Sequence, residues 1–235
     1  MTEHAGDEQT SDAAPCVWGV GTSRTLRAHW TLCELAVDYT WQEIIPRTES
    51  MDAPAFREVS QRGKVPILEH GRLVIGESGA IMLHLADHYR DRAVLAPPPE
   101  TAERAVFHDR FIFTLMELDA PLYIIRRHEG LADVYGESKV AAASAREYFL
   151  RQSGVVCEWL EETGFVFGAS WSAADIMLAT CTAWAELVGI ELAPPLAKHL
   201  EAARARDAFG LAAQRNFPPA ALAMLAAQRP PAAPA

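Results

Sequence analysis

The sequence has no apolar run close to the roughly 18 residues that read as a bilayer span, so no membrane partner is expected. It is short of positive charge. The 21 Lys and Arg against 31 Asp and Glu give a formal charge of −10, which argues against a general nucleic-acid binder, because phosphate contact needs clustered cations. The N-terminus, with Glu3, Asp7, Glu8 and Asp12, lacks the basic start and apolar core of a signal peptide. Cysteine is scarce and scattered: Cys16, Cys33, Cys157 and Cys181 form no CxxC pair and have no histidine at metal-binding spacing. No metal is expected, and the cysteines read as buried and reduced, which implies a cytoplasmic protein. No internal repeat is visible.

What remains is a chain of 235 residues, 50% hydrophobic, able to bury one or two cores. Cys16 to Val20 reads as a buried strand closed by Gly21. Leu26, Trp30, Cys33 and Val37 then repeat at helical spacing and form one apolar stripe. Tyr39 to Ile45 has strand composition, giving a βαβ unit with parallel pairing. A short helix is expected near Ala55 to Val59. A hairpin follows, Val65 to Leu68 and Leu73 to Ile75, and then a helix from Ser78 to about Tyr89. This order predicts an α/β thioredoxin-like domain over 16–95, without a redox CxxC. A Pro-rich linker occupies 96–101. Everything over 102–227 reads as an all-α bundle. It includes Phe107, Phe111, Leu115 and Leu118 on one face, and Ser172 capping a helix with Asp175 reaching back and Trp171 packing on Ile176. Residues 1–15, acidic, and 228–235, Pro/Ala-rich, read as mobile tails.

The most informative stretch is Lys64-Val65-Pro66-Ile67-Leu68, ten residues ahead of Gly76-Glu77-Ser78-Gly79-Ala80-Ile81. Proline at the head of an apolar run marks an edge or entrance where backbone stays free to pair. Glu77 and Ser78 fall where strand gives way to helix, beside fresh helix N–H groups. Such a site can hold both ends of an amino acid, Glu77 on the ammonium and Ser78 with the backbone on the carboxylate. An edge strand followed by a serine N-cap is the plainer alternative.

These two motifs in this order resemble the glutathione-binding half of the cytosolic glutathione transferase superfamily. Gly168-Ala169-Ser170-Trp171-Ser172-Ala173-Ala174-Asp175-Ile176 resembles the capping box of its C-terminal domain, and the resemblance covers about residues 16 to 227. It implies a cis proline at Pro66, a Val65 backbone that pairs with the cysteinyl part of glutathione, and Glu77 and Ser78 on the γ-glutamyl end. Lys64 is similar to a residue that some members place near the glycyl carboxylate, with a solvated surface lysine as the equal alternative and Arg47, Gln61 and Arg24 as weaker candidates.

The chemistry then belongs to Gly21-Thr22-Ser23-Arg24-Thr25. There a hydroxyl and a helix N-terminus can stabilise a thiolate. One charge-assisted hydrogen bond, roughly 1.5–3 kcal/mol, lowers a thiol pKa by about 1–2 units. Thr22 is the first choice, since hydroxyl-using members place the active residue five before a basic one, here Arg27. Ser23 stands close behind, and plain turn and cap roles remain the alternative for both. No Tyr lies between Cys16 and Val37, which departs from tyrosine-using members. Phe113, Met116 and Tyr123 are the candidate lining of a hydrophobic pocket, with plain core as the other reading. Arg126-Arg127-His128 reads as an exposed helix end in preference to a contact for an acidic co-substrate. The resemblance implies a homodimer that uses glutathione as co-substrate against a small hydrophobic electrophile. A non-catalytic binding or regulatory protein and a glutathione-dependent disulfide reductase are the rivals.

Overall fold

A computed structural model describes residues 13–222, so the tail expected at 228–235 and residues 1–12 of the other lie outside the described residues. Four short strands form one mixed sheet in the order β2-β1-β3-β4. β1 (Cys16–Trp18) runs parallel to β2 (Thr40–Gln42) and antiparallel to β3 (Ile67–His70), which pairs antiparallel with β4 (Leu73–Gly76). β1 and β2 are shorter than the expected Cys16–Val20 and Tyr39–Ile45, whereas β3 begins two residues after Val65 and β4 runs one residue past Ile75. Beyond Trp18 the pairing continues only as single bonds, Gly19 N–H to the Gln42 carbonyl and Val20 N–H to the Ile44 carbonyl, both 3.0 Å. Pro66 does not mark an edge strand. β3 is interior and paired on both sides, and Pro66 sits one residue before it, where the missing N–H costs no ladder bond.

Alternation along β1 and β3 divides the burial between two faces. Val17 opposite Leu68 joins the main core with α1 (Ser23–Glu34) and α3 (Ser78–His88). Ile67, opposite Trp18, faces Phe56 of α2 (Pro54–Val59) and Ile44 on the other side. The single stripe expected for α1 understates its burial, because Thr25, Arg27, His29 and Thr31 are buried as well as Leu26 and Trp30. The second cover is α10 (Asp207–Asn216), whose Phe209 ring centroid lies 4.9 Å from that of Trp30.

The remainder is helical. From Ala102 to Gly130 the chain is one helical path, α4 (Ala102–Phe113), a π-helical turn (Thr114–Asp119), α5 (Ala120–Ile125) and a second π turn (Arg126–Gly130). α6 (Ala132–Tyr135), α7 (Lys139–Thr163), α8 (Ala173–Leu187) and α9 (Pro194–Arg204) complete it. Phe107, Phe111 and Leu118 are buried as their spacing predicts. Asp175 reaches back to the Ser172 N–H at 2.9 Å and also accepts from Val166 N–H and His199 Nε2. Trp171 packs against the rings of Trp30 and His199. One continuous core runs from Val17 in the sheet to Ala212 in α10, so sheet and helices share their apolar interior. No helix among the described residues is long and apolar enough to cross a membrane.

Candidate functional site

The turn after β1 is fixed by its backbone. Gly21, at φ +85°, donates its N–H to the Asn216 carbonyl at 2.7 Å, and Asn216 Nδ2 donates to the Thr22 carbonyl at 3.1 Å. α10 therefore clamps the start of α1. Thr22 is the N-cap: its Oγ1 accepts the Thr25 N–H at 3.0 Å, while Thr22 N–H donates to Thr25 Oγ1 at 3.0 Å. The Thr25 hydroxyl proton goes to the Thr22 carbonyl, so Thr25 Oγ1 can also accept the Thr22 hydroxyl proton across 3.0 Å. Ser23 opens the helix, half-buried.

Opposite this turn, the Val65–Pro66 bond is cis. Gly19 makes its approach possible: a Cβ there would lie 2.5 Å from Val65 Cβ, and its φ of +121° disfavours any side chain. Between the turn and Val65 opens a cleft of about 610 Å³. Its N-terminal wall includes Thr22, Ser23, Arg24, Arg47, Lys64 and Val65. Helices supply the other wall through Tyr123, Arg126, Tyr135, Trp184 and Leu187. Thr22, Ser23, Lys64, Val65 and Tyr123 are thus brought together as the sequence predicts. Glu77, Ser78 and Pro66 are not part of this wall. Phe113 and Met116 are not part of it either, contrary to expectation. Phe113 packs edge-on against Trp159 of α7, and Met116, in the π turn, is 56% exposed. Arg126 is not an exposed helix end: it is half-buried in the cleft wall, while Arg127 lies over the Tyr135 ring and His128 bonds the Gly136 carbonyl.

Glu77 holds the N-cap position of α3 at φ +63°, with its side chain 73% exposed and 2.9 Å from Arg62. Ser78 is buried, and its Oγ accepts from Arg27 at 3.2 Å. Arg27 is the hub beneath the cleft. Fully buried, it also donates to Thr180 Oγ1 at 2.7 Å and to Asp119 at 2.6 Å. Asp119 pairs with Arg24 as well, a residue of the cleft wall that also lies over the rings of Tyr123 and Trp184. Burial pushes the Asp119 carboxyl up, but Arg27 and then Arg24 outweigh it and hold it below the usual range. This Arg24–Asp119–Arg27 triad ties α1 to the first π turn. Sequence reasoning missed it, since the only signal is one acid inside the apolar stretch Leu118-Asp119-Ala120-Pro121-Leu122.

Burial raises the Tyr123 phenol, helped by Tyr135. Burial and then the Arg47 charge depress Arg126. None of the cysteines lines the cleft, and burial pushes the Cys181 thiol up to about 12. Among the described residues no three His, Cys, Asp or Glu side chains are grouped to hold a metal.

Comparison with known proteins gives concordant matches. Residues 23–88 match the family model described as glutathione S-transferase, N-terminal domain. The chain is 29% identical over 144 residues to glutathione S-transferase 2 of Anopheles gambiae, a match spanning 60% of this chain and 66% of that protein. It superposes on a glutathione transferase from Methylococcus capsulatus with a TM-score of 0.76 at 23% identity, covering 86% of this chain and 98% of that one. For the theta class glutathione S-transferase of Xanthomonas axonopodis pv. citri, solved with glutathione bound, the TM-score is 0.72 at 25% identity, over 86% of this chain and 96% of the other.

Proposed function

By fold and by its N-terminal domain the chain belongs to the cytosolic glutathione transferase superfamily, and from that premise we propose that the cleft binds glutathione and activates its thiol for attack on an electrophilic carbon. The observation that carries this reading is the meeting of the α1 N-terminus with the Val65 backbone across one cleft. Val65 precedes a proline and sits outside the ladder, so its backbone is open to a peptide. Ser78 accepts from Arg27 and keeps its own proton for a carboxylate. The Arg62–Glu77 pair is exposed and weakly held, so a ligand ammonium can displace it. Lys64 takes the glycyl carboxylate.

Of the two candidate hydroxyls, Ser23 is the better placed donor. The Thr22 hydroxyl is engaged in the cap, whereas Ser23 Oγ carries no hydrogen bond to any described residue and sits at the positive end of α1. The reading that the protein binds glutathione without turnover draws on the same engagement of Thr22. Ser23→Ala is expected to raise the pKa of bound glutathione by about 1–2 units and slow turnover roughly ten- to a hundredfold at neutral pH. Glutathione itself should still bind. Thr22→Ala should instead cost about 1 kcal/mol of stability as a lost cap. Glu77→Ala and Ser78→Ala should each weaken binding at least about tenfold. Calorimetry and thiolate absorbance against pH, followed by turnover with aryl halides, epoxides and disulfides, separate transferase, reductase and non-catalytic binder. An unshifted titration in both hydroxyl variants would reject the hydroxyl mechanism.

The proposal includes a cytoplasmic homodimer. Val106, Ile112 and Met116 project from the outer side of α4 and its π turn, each about half exposed, and Val74 does so from β4. These apolar side chains suit a two-fold interface that spans sheet and helices. Light scattering should give twice the chain mass, and a monomer mass at every concentration would refute the dimer.

A further inference from the structure

We infer that Asn216, the last residue of α10, is a positioning residue for the thiol site: it fixes the peptide between Thr22 and Ser23 and so aims the two Ser23 donors, hydroxyl and N–H, at the glutathione sulfur. Asn216 is fully buried, and its side chain makes one hydrogen bond among the described residues, from Nδ2 to the Thr22 carbonyl at 3.1 Å. A carbonyl only accepts, so that bond sets which way the amide faces. Oδ1 is then buried without a partner among the described residues. An unpaired buried acceptor costs stability. Nor does Thr22 need the bond to be satisfied. Its carbonyl already accepts from Leu26 N–H at 3.0 Å and from the Thr25 hydroxyl at 2.9 Å. An aliphatic side chain of the same size would serve the packing better, so the amide is explained by what it holds in place.

What it holds is one peptide plane. In a trans peptide the carbonyl and the next N–H point in opposite directions, so fixing the Thr22 carbonyl also fixes Ser23 N–H, pointing out of the helix start. No carbonyl within the helix can take that N–H, and the Thr22 cap is spent on Thr25. Asn216 grips the preceding peptide too, because its own carbonyl accepts Gly21 N–H at 2.7 Å. The hold continues into the cleft. Ala221 packs on Gly21, where a Cβ would lie 3.0 Å from Ala221 Cβ, and Phe217 and Leu222 line the cleft with Thr22 and Ser23. At its other end α10 is anchored on α1 by Arg206 to Glu34 at 2.6 Å and by Phe209 against Trp30.

The inference rests on the reading of Ser23 as the thiol donor. The main-chain bond to Gly21 survives any side-chain change at 216, so substitution isolates the Nδ2 bond. In Asn216→Leu and Asn216→Ala the pKa of bound glutathione, read from thiolate absorbance against pH, should rise by about 0.5–1 unit, and turnover at pH 7 should fall about three- to tenfold. Above about pH 9.5 the rates should converge with the wild type, because the thiolate is then fully formed in each. Calorimetric affinity for glutathione at pH 6, where the thiol is largely protonated, should change less than about twofold, since the Val65 side of the cleft is untouched. Phe209→Leu is the control for a loosened α10: its denaturant midpoint should fall while its thiol titration stays that of the wild type. An unmoved titration in both Asn216 variants, or an equal rise in Phe209→Leu, overturns the inference. Ser23→Ala separates it from the reading beneath. A shift in Ser23→Ala alone keeps the thiol reading and removes the positioning role. A shift in the Asn216 variants alone keeps the positioning role, with Ser23 N–H as the donor, and removes the hydroxyl. A wild type whose bound thiol titrates like free glutathione removes both.

Discussion

Asp119→Ala should destabilise the protein by about 3–5 kcal/mol, the usual cost of leaving one charge of a buried pair unpartnered. The carboxylate is 3% exposed and faces Arg27, whose side chain is entirely inaccessible. Removing Asp119 leaves the Arg27 guanidinium with Ser78, Thr180 and Cys181, none of which carries a compensating charge. Folded proteins hold only about 5–15 kcal/mol in all, so the loss should appear as a large drop in the denaturant midpoint. Asp119→Asn, which keeps the shape and removes the charge, should lose nearly as much. Arg24→Met should lose less, because Arg24 is partly exposed and water compensates it. A loss under about 1 kcal/mol for both Asp119 variants would show that the triad is not a buried ion cluster in solution. Asp119 holds Arg24 in the cleft wall and Arg27 under Ser78, so on the proposed reading glutathione affinity should fall with stability.

How far the fold could be read in advance follows from which signals are local. The proline at 66, the apolar runs Val65 to Leu68 and Leu73 to Ile75, and the Glu77-Ser78 step are near-neighbour patterns, and they place the hairpin and α3 within a residue or two. β1 and β2 came out shorter because their ends depend on a partner's register, which no local pattern encodes. Burial of α1 on all sides was hidden for a similar reason. Its second cover, α10, lies almost 180 residues downstream and is recorded only in pairs such as Trp30 with Phe209 and Glu34 with Arg206.

The site divides in the same way. Thr22, Ser23, Lys64 and Val65 lie on short motifs and all reach the cleft. Phe113 closes α4 against Trp159 of α7, and Met116 points outward from the π turn that follows, so both lie off the cleft while Tyr123, further along the same path, reaches it. Arg126, at the start of the second π turn, also lies in the wall. Asp119 was illegible because a buried acid is defined by its partners, and both arginines belong to a helix 92 or more residues earlier.

His29 gives the clearest expected response to pH. It is fully buried in α1, with Nε2 3.1 Å from the Gly19 carbonyl and Nδ1 2.9 Å from the Tyr39 hydroxyl. A carbonyl only accepts, so Nε2 carries the proton and the neutral ring accepts from Tyr39. Burial pushes its pKa down to about 4; the Gly19 bond opposes this, and the nearby Arg215 charge adds to it. Below the unfolded value of about 6.5 the unfolded chain takes up a proton that the folded chain refuses, so stability falls as pH falls. The fall ends near the folded pKa, where both states are protonated, and amounts to about 3 kcal/mol over that window. His29→Gln keeps a donor for Gly19 and cannot titrate. Denaturant unfolding at pH 7 and pH 4.5 should therefore show a smaller acid loss in the variant, by about 2–3 kcal/mol. Some loss should persist, because burial and the neighbouring His88 and His84 hold His70 near 4 as well. Equal acid losses in the two proteins would mean that His29 is solvated or already charged.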